Sequence, residues 1–175
     1  RRDEEVGDAG RFGPRPLLVD CGTDDRETEF LVERIRGIVA SGMMGLGGIG
    51  IFVPINSMVR STLKRLGEHD ISATGLKDYH GVPTPEVKVG TYARAKGLEF
   101  KVVFLPRVKA GVVPRAQTAR QSDDEYADQR ELAINEFFVA MTRARDQLIV
   151  SFGDEPSEVL VGVMDDFDVV SPEDL

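Results

Sequence analysis

Apolar residues fall along the chain in short runs separated by amphipathic stretches, and that alternation predicts strands interleaved with helices. Leu17–Cys21 is a compact apolar run after Pro16 and reads as a first strand. Asp24 and Glu27 are spaced as a capping pair, and Leu31, Ile35, Ile38 and Val39 follow at helical spacing. A strand is expected over Ile49–Pro54. The next helix carries Val59, Leu63 and Leu66 on its apolar side and Arg60 and Lys64 on another, with Asn56 or Ser57 as its cap. A short strand over Ile71–Leu76 and a turn at Gly81–Pro85 come next.

Between Lys88 and Arg107 the pattern is apolar, polar, apolar. Val87 and Val89, then Val102–Leu105, have the β-branched, continuous character of strands buried on both faces. The loop between them sets Thr91, Tyr92, Arg94, Lys96 and Glu99 around Gly97. So much hydrogen-bonding capacity beside a hydrophobic sheet points to a ligand rather than to the fold.

Ala110–Gln121 has no period and reads as a mobile loop. Ser122 and Glu125 form an S-x-x-E capping box that opens a long helix through Ala133, Phe137, Ala140 and Met141. Ile134, Phe138 and Val139 widen its apolar band, so deep packing is expected. Arg143 and Arg145 emerge at its end, where the helix dipole favours cations, just before a strand over Gln147–Phe152. Ser157–Met164 reads as one more short helix and Asp165–Leu175 as a solvated acidic tail. Three segments are therefore expected: a tail or linker over 1–15, one domain over 16–160, and an acidic C-terminal tail over 161–175. Strands alternating with helices make this an α/β class fold, a parallel sheet with helices on both faces and ligands at the carboxyl ends of its strands.

Composition narrows the function classes. The 175 residues are 41% hydrophobic and 30% charged, which suits one globular domain. No apolar run approaches the roughly 20 residues of a membrane span, and the N-terminus is charged rather than signal-like, so a cytoplasmic location without membrane contact is expected. The lack of an initiator methionine fits a fragment. Cys21 is the sole cysteine and reads as a small buried thiol; two scattered histidines offer no metal site. A net charge of −8 argues against gripping nucleic acid by bulk electrostatics. The cations Arg94, Lys96, Lys101, Arg107, Lys109, Arg115 and Arg120 nevertheless sit together with only Glu99 opposing them, so a local basic groove is expected. Gly45, Gly47 and Gly50 spell G-x-G-x-x-G, but a helix precedes them and a strand follows, the reverse of the dinucleotide-binding order; they read as a flexible connection.

Two stretches carry a family resemblance. TYARAKGLEFKVVF resembles motif V of the UvrD/Rep-type superfamily-1 helicases, and FFVAMTRARDQLIV, Phe137–Val150, resembles their motif VI. Their order and flanking strands agree with the second RecA-like motor domain of that family. The resemblance implies that ATP and Mg2+ are held mainly by a first RecA-like domain of the same parent chain, and that single-stranded DNA is the track. It implies Arg143 as arginine finger, Glu99 as ribose contact, and Lys96 and Gly97 as the loop linking nucleotide to DNA. Thr91 would lie near the strand backbone, and Arg145 would join the nucleotide site. Many members carry a histidine where Ala93 stands, so Arg94 is expected to supply a phosphate contact.

IGIFVPINSMVRSTLKRL resembles motif IV in Asn56 and Arg60, which would add to the ATP contacts, but Val53 and Pro54 stand where members often have an aromatic and an arginine. There is no G-x-x-x-x-G-K-[ST], so the chain alone is expected neither to bind ATP tightly nor to hydrolyse it. Nor is there room for the accessory domain found between motifs IV and V in UvrD and Rep, which places the chain in a compact branch of the family; a 3′ to 5′ direction is implied by the family alone. The alternative function is a non-catalytic protein- or DNA-interaction module from a decayed helicase, and the acidic tail offers a surface to a protein partner.

Overall fold

The computed structural model describes residues 14–175; most of the expected N-terminal linker therefore lies outside the described residues. Seven strands form one sheet: β1 (Leu17–Asp20), β2 (Ile49–Val53), β3 (Ala73–Gly75), β4 (Val87–Thr91), β5 (Phe100–Leu105), β6 (Ala144–Phe152) and β7 (Asp168–Val170). Their order across the sheet is β3-β4-β2-β5-β6-β1-β7, and every pairing is parallel. One edge of the sheet therefore collects all the carboxyl ends and the opposite edge all the amino ends. The expected RecA-like parallel α/β fold is observed, with corrections of detail.

Helices α1 (Asp24–Ala40) and α2 (Asn56–Glu68) cover one face, burying Phe30, Ile35, Ile38 and Leu66 against Val19, Ile51, Val89, Phe104 and Ile149. Helix α3 (Asp123–Met141) and residues 92–98 cover the other, where Phe137 and Ala140 meet Tyr92, Phe100, Val103 and Val150. Both faces of the central strands are thus apolar and dry, which is why those strands read as unbroken hydrophobic runs.

Several sequence expectations are overturned. The cap of α1 is Thr23, whose Oγ1 accepts from Arg26 N at 3.3 Å; Glu27 plays no capping part and is buried. Neither Asn56 nor Ser57 caps α2, because the chain turns at Ile55 with no side-chain cap and both residues sit in the first turn. The capping box of α3 forms as expected, Ser122 Oγ accepting from Glu125 N at 3.2 Å and the Glu125 carboxylate from Ser122 N at 2.9 Å. Deep packing of α3 does not occur: only Phe137 and Ala140 are fully buried, and Leu132, Phe138 and Val139 face outward. Residues 161–175 are not a free tail. Phe167 is buried, and Asp168–Val170 adds a seventh strand beside β1, secured by a Ser171–Asp174 capping box. A three-residue strand gives too short a pattern to read against five acidic residues.

Candidate functional site

Residues 92–99 join the carboxyl end of β4 to the amino end of β5, crossing the whole sheet in eight residues. A parallel crossover ordinarily uses a helix and a dozen or more residues. Here a single 3-10 turn, Tyr92–Ala95, serves instead and is held down by its side chains. Tyr92 and Ala95 are buried under α3, and the Tyr92 ring meets Phe137 edge-on at 5.8 Å. Gly97 then takes a φ of +82°, a left-handed turn that returns the chain to the sheet. This places Thr91 at the carboxyl edge and Glu99 at the amino edge, with Arg94 and Lys96 exposed between them.

At the amino edge the turn from α3 into β6 occupies only Thr142 and Arg143, because β6 begins at Ala144, three residues earlier than the sequence suggested. The Arg143 carbonyl accepts from Phe100 N at 3.0 Å, so the residue is fixed to the start of β5, next to Glu99. Its guanidinium donates to Val139 O at 3.1 Å and Thr142 Oγ1 at 2.9 Å and meets no carboxylate among the described residues. It rests on one carbonyl and one hydroxyl of its own helix end, with no ion pair to break on leaving. Arg145 instead pairs with Asp146 at 2.8 Å.

Beside them lies a cavity of about 330 Å³ lined by Gly47, Gly48, Tyr79, Thr84, Lys88, Leu98, Glu99, Lys101 and Arg145 among others. Lys88 is only 2% exposed, and burial holds its ammonium below its ordinary pKa of 10.5.

Asn56 and Arg60 are not part of this group. Both are exposed at the start of α2, beyond the carboxyl end of β2. The five residues of β2 alone separate the two edges by about 17 Å at roughly 3.3 Å per residue. The sequence therefore names two sets of residues on opposite edges: Glu99, Gly97, Arg143 and Arg145 on one, and Asn56, Arg60 and Thr91 on the other, with Arg94 and Lys96 along the crossover.

The carboxyl edge holds a network that sequence reasoning missed. Glu27, 1% exposed, accepts from Arg107 N at 2.8 Å and from Ser151 Oγ at 2.7 Å. Its second oxygen lies 3.1 Å from Arg107 Nε without hydrogen-bond alignment. Burial raises the Glu27 pKa above its ordinary 4.5, with the Arg107 N–H and the Ser151 hydroxyl opposing that rise. Arg107 has a φ of +66° and also pairs with Asp24, while Lys109 Nζ bridges Asp24 at 2.7 Å and Asp154 at 3.0 Å. Burial would raise the Asp24 pKa, but the hydrogen bond from Lys109 and the Arg107 charge bring it below 3.8. Two of the cations counted toward a basic groove, Arg107 and Lys109, are thus committed to the acids of α1. A carboxylate one turn into an amphipathic helix looks solvent-facing, and the only hint of its burial was that the next three turns put their apolar side on the same face.

No helix among the described residues is long and apolar enough to cross a membrane, and no group of His, Cys, Asp or Glu among them is arranged to hold a metal. The model of the UvrD-like helicase C-terminal domain matches residues 59–155, more than half of the chain. The fold resembles the C-terminal domain of a possible DNA helicase from Lactobacillus plantarum WCFS1, with a TM-score of 0.69, 17% identity, and coverage of 90% of this chain and 86% of that one. It also resembles the C-terminal domain of the DEAD-box protein Dbp5, with a TM-score of 0.55, 15% identity, and coverage of 90% and 88%. Arterivirus nonstructural protein 10, a helicase solved with DNA, matches at a TM-score of 0.51 and 12% identity over 89% of this chain but 35% of its own length. At these identities the likeness is one of fold. No curated protein matches the sequence.

Proposed function

The chain belongs to the UvrD-like helicase C-terminal domain family, and from that membership we propose that it acts as the second motor domain of an ATP-dependent translocase or helicase on single-stranded DNA. Its amino edge would face the nucleotide held by a first RecA-like domain of the same protein, and its carboxyl edge would face the strand. The observation that carries this reading is the eight-residue crossover, which ties the two edges together through one short, packed segment.

Arg143 is assigned as the arginine finger. Its guanidinium is held at the sheet edge by the backbone bond to Phe100 yet is bound only to carbonyl and hydroxyl oxygens, so it can turn to a polyphosphate without breaking an ion pair. Charge that spreads over the terminal phosphate oxygens during transfer is where a fork-shaped cation acts, and a lysine would not reproduce it. Glu99 supplies an exposed acceptor for ribose hydroxyls. Arg145 can serve only by releasing Asp146. ATP supplies the energy of the cycle, and its magnesium ion is assigned mainly to the first motor domain, as the family resemblance implies.

Thr91 and Arg94 offer a hydroxyl and a cation for the strand backbone at the other end of the crossover, with Lys96 further along. Asn56 and Arg60 lie on this DNA-facing edge, so they are reassigned from nucleotide to strand contacts. The supporting likeness is the arterivirus helicase solved with DNA. A shift of residues 92–99 would be felt at both edges, which is the coupling a motor requires.

The test is DNA-stimulated ATPase in the full-length protein, wild type against Arg143→Ala and Arg143→Lys, with nucleotide binding measured in parallel. Turnover is expected to fall by about 10³-fold or more while binding largely survives. Wild-type turnover that ignores DNA, or an Arg143→Ala variant that keeps it, would refute the motor reading.

A further inference from the structure

Helices α1 and α2 lie on the same face of the sheet and turn matching ridges toward one another: Asp24, Thr28 and Leu31 on α1, Met58, Ser61 and Arg65 on α2, each set at three- and four-residue spacing. Side chains at such positions ordinarily interdigitate. Thr28 and Ser61, with Thr62 beside them, are too short to do so, and a cavity of about 270 Å³ is left between the helices. It opens at the carboxyl edge over Pro106 and Arg107. There the neighbouring strands β2 and β5 send the chain to opposite faces, to α2 and to α3. Such a point is where open α/β sheets leave a crevice for ligands.

The inner part of the cavity is apolar, because Leu31, Val32 and Leu66 are buried in its wall. Its mouth is charged, and the unspent hydrogen-bonding capacity there is all of one kind. Asp24 gives one carboxylate oxygen to Lys109 and the other to Arg107, and Glu27 is buried with Arg107 against it. Neither acid has an oxygen to offer a newcomer. The donors are not all used. The Lys109 ammonium has three N–H groups and two partners, Asp24 and Asp154. Arg65 comes no nearer to a carboxylate than 3.8 Å, from Asp25, and makes no hydrogen bond among the described residues. A ligand that satisfies these groups carries acceptors and negative charge at one end, and an apolar body at the other to fill the space over Leu31 and Leu66.

We propose that the cavity between α1 and α2 binds a small amphipathic anion, a flat or branched apolar group ending in a carboxylate, with Arg65 as its charge partner and Lys109 as a second donor. This goes beyond the motor function, because no step of that cycle uses the cavity. The ligand joins α1 to α2 behind the edge offered to DNA.

The test is an NMR titration of the 175-residue chain with 2-naphthoate, and with 2-naphthylmethanol as the neutral molecule of the same ring system. Saturable amide shifts at 28–32 and 61–66 are expected with the anion, and at least fivefold weaker binding with the alcohol. Arg65→Met should weaken the anion about fivefold, the upper end of what an exposed ion pair supplies, and leave the alcohol unchanged. Thr62→Phe, which fills the cavity from an exposed helix, should abolish both. The spectrum of each unliganded variant shows whether the fold has survived, since amides away from the two helices should not move. Absence of saturable shifts at the lining, equal binding of the two molecules, or an Arg65→Met variant that binds the anion as the wild type does would overturn the proposal. Oligothymidylate that moves the lining amides where 2-naphthoate does not would overturn it too, and give the cavity to the strand.

Discussion

Glu27→Leu should be among the most damaging single changes in the domain that create no cavity. The carboxylate is buried and accepts from the Arg107 N–H and the Ser151 hydroxyl. Leucine fills a similar volume but accepts nothing, so both donors are left buried and unpaired, at about 1–3 kcal/mol each. The Arg107 guanidinium keeps Asp24 and Thr28, so no charge is stranded. The expected loss is therefore about 4 kcal/mol, a large share of the roughly 5–15 kcal/mol that holds an ordinary domain together.

Urea unfolding followed by circular dichroism should show a lowered midpoint with an unchanged slope. Adding Ser151→Ala should cost less in the Glu27→Leu background than in the wild type, because the hydroxyl has already lost its acceptor. The sign of the pH dependence is also fixed. Glu27 has a folded pKa raised above 4.5, so the folded state holds the proton more firmly than the unfolded one. Its relative stabilisation is complete below about 4.5 and is lost as pH rises through the raised folded value. Glu27→Gln, which cannot titrate, should remove that decline. A Glu27→Leu loss under about 1 kcal/mol, or a decline that persists in Glu27→Gln, would refute the account.

Gly97→Ala should cost about 1–2 kcal/mol from the left-handed backbone alone, since a Cβ there meets nothing within 4 Å; a neutral result in urea unfolding would mean the turn relaxes. Tyr92→Phe should be neutral or stabilising, because the hydroxyl is buried without a partner and burial pushes the phenol above its ordinary pKa of 10; a loss of more than about 1 kcal/mol would expose a hidden acceptor. Arg94→Ala in the full-length protein should weaken single-strand binding and reduce the slope of log affinity against log salt by about 0.7, and an unchanged slope would remove Arg94 from the strand path.

The periodicity of the chain was enough for the α/β class. Strands β1, β2, β4 and β5, the three helices and the Ser122 capping box depend on local preferences that a window of residues contains. Motifs V and VI were legible for the same reason, since each sits on one continuous stretch. Local sequence carries no information about which strand lies beside which, and that is where the remaining features arise. Strand β7 exists because β1 offered an open edge. Asn56 and Arg60 parted from Glu99 because parallel strands send their two ends to opposite edges. Glu27 and Arg107 are partners eighty positions apart, brought together only when α1 packs across the sheet ends. Lys88 and Tyr79 meet only because β3 and β4 pair in the sheet, which brings one over the other. Burial, charge pairing and cavity shape are properties of surfaces that meet after folding, so they belonged to the tertiary structure alone.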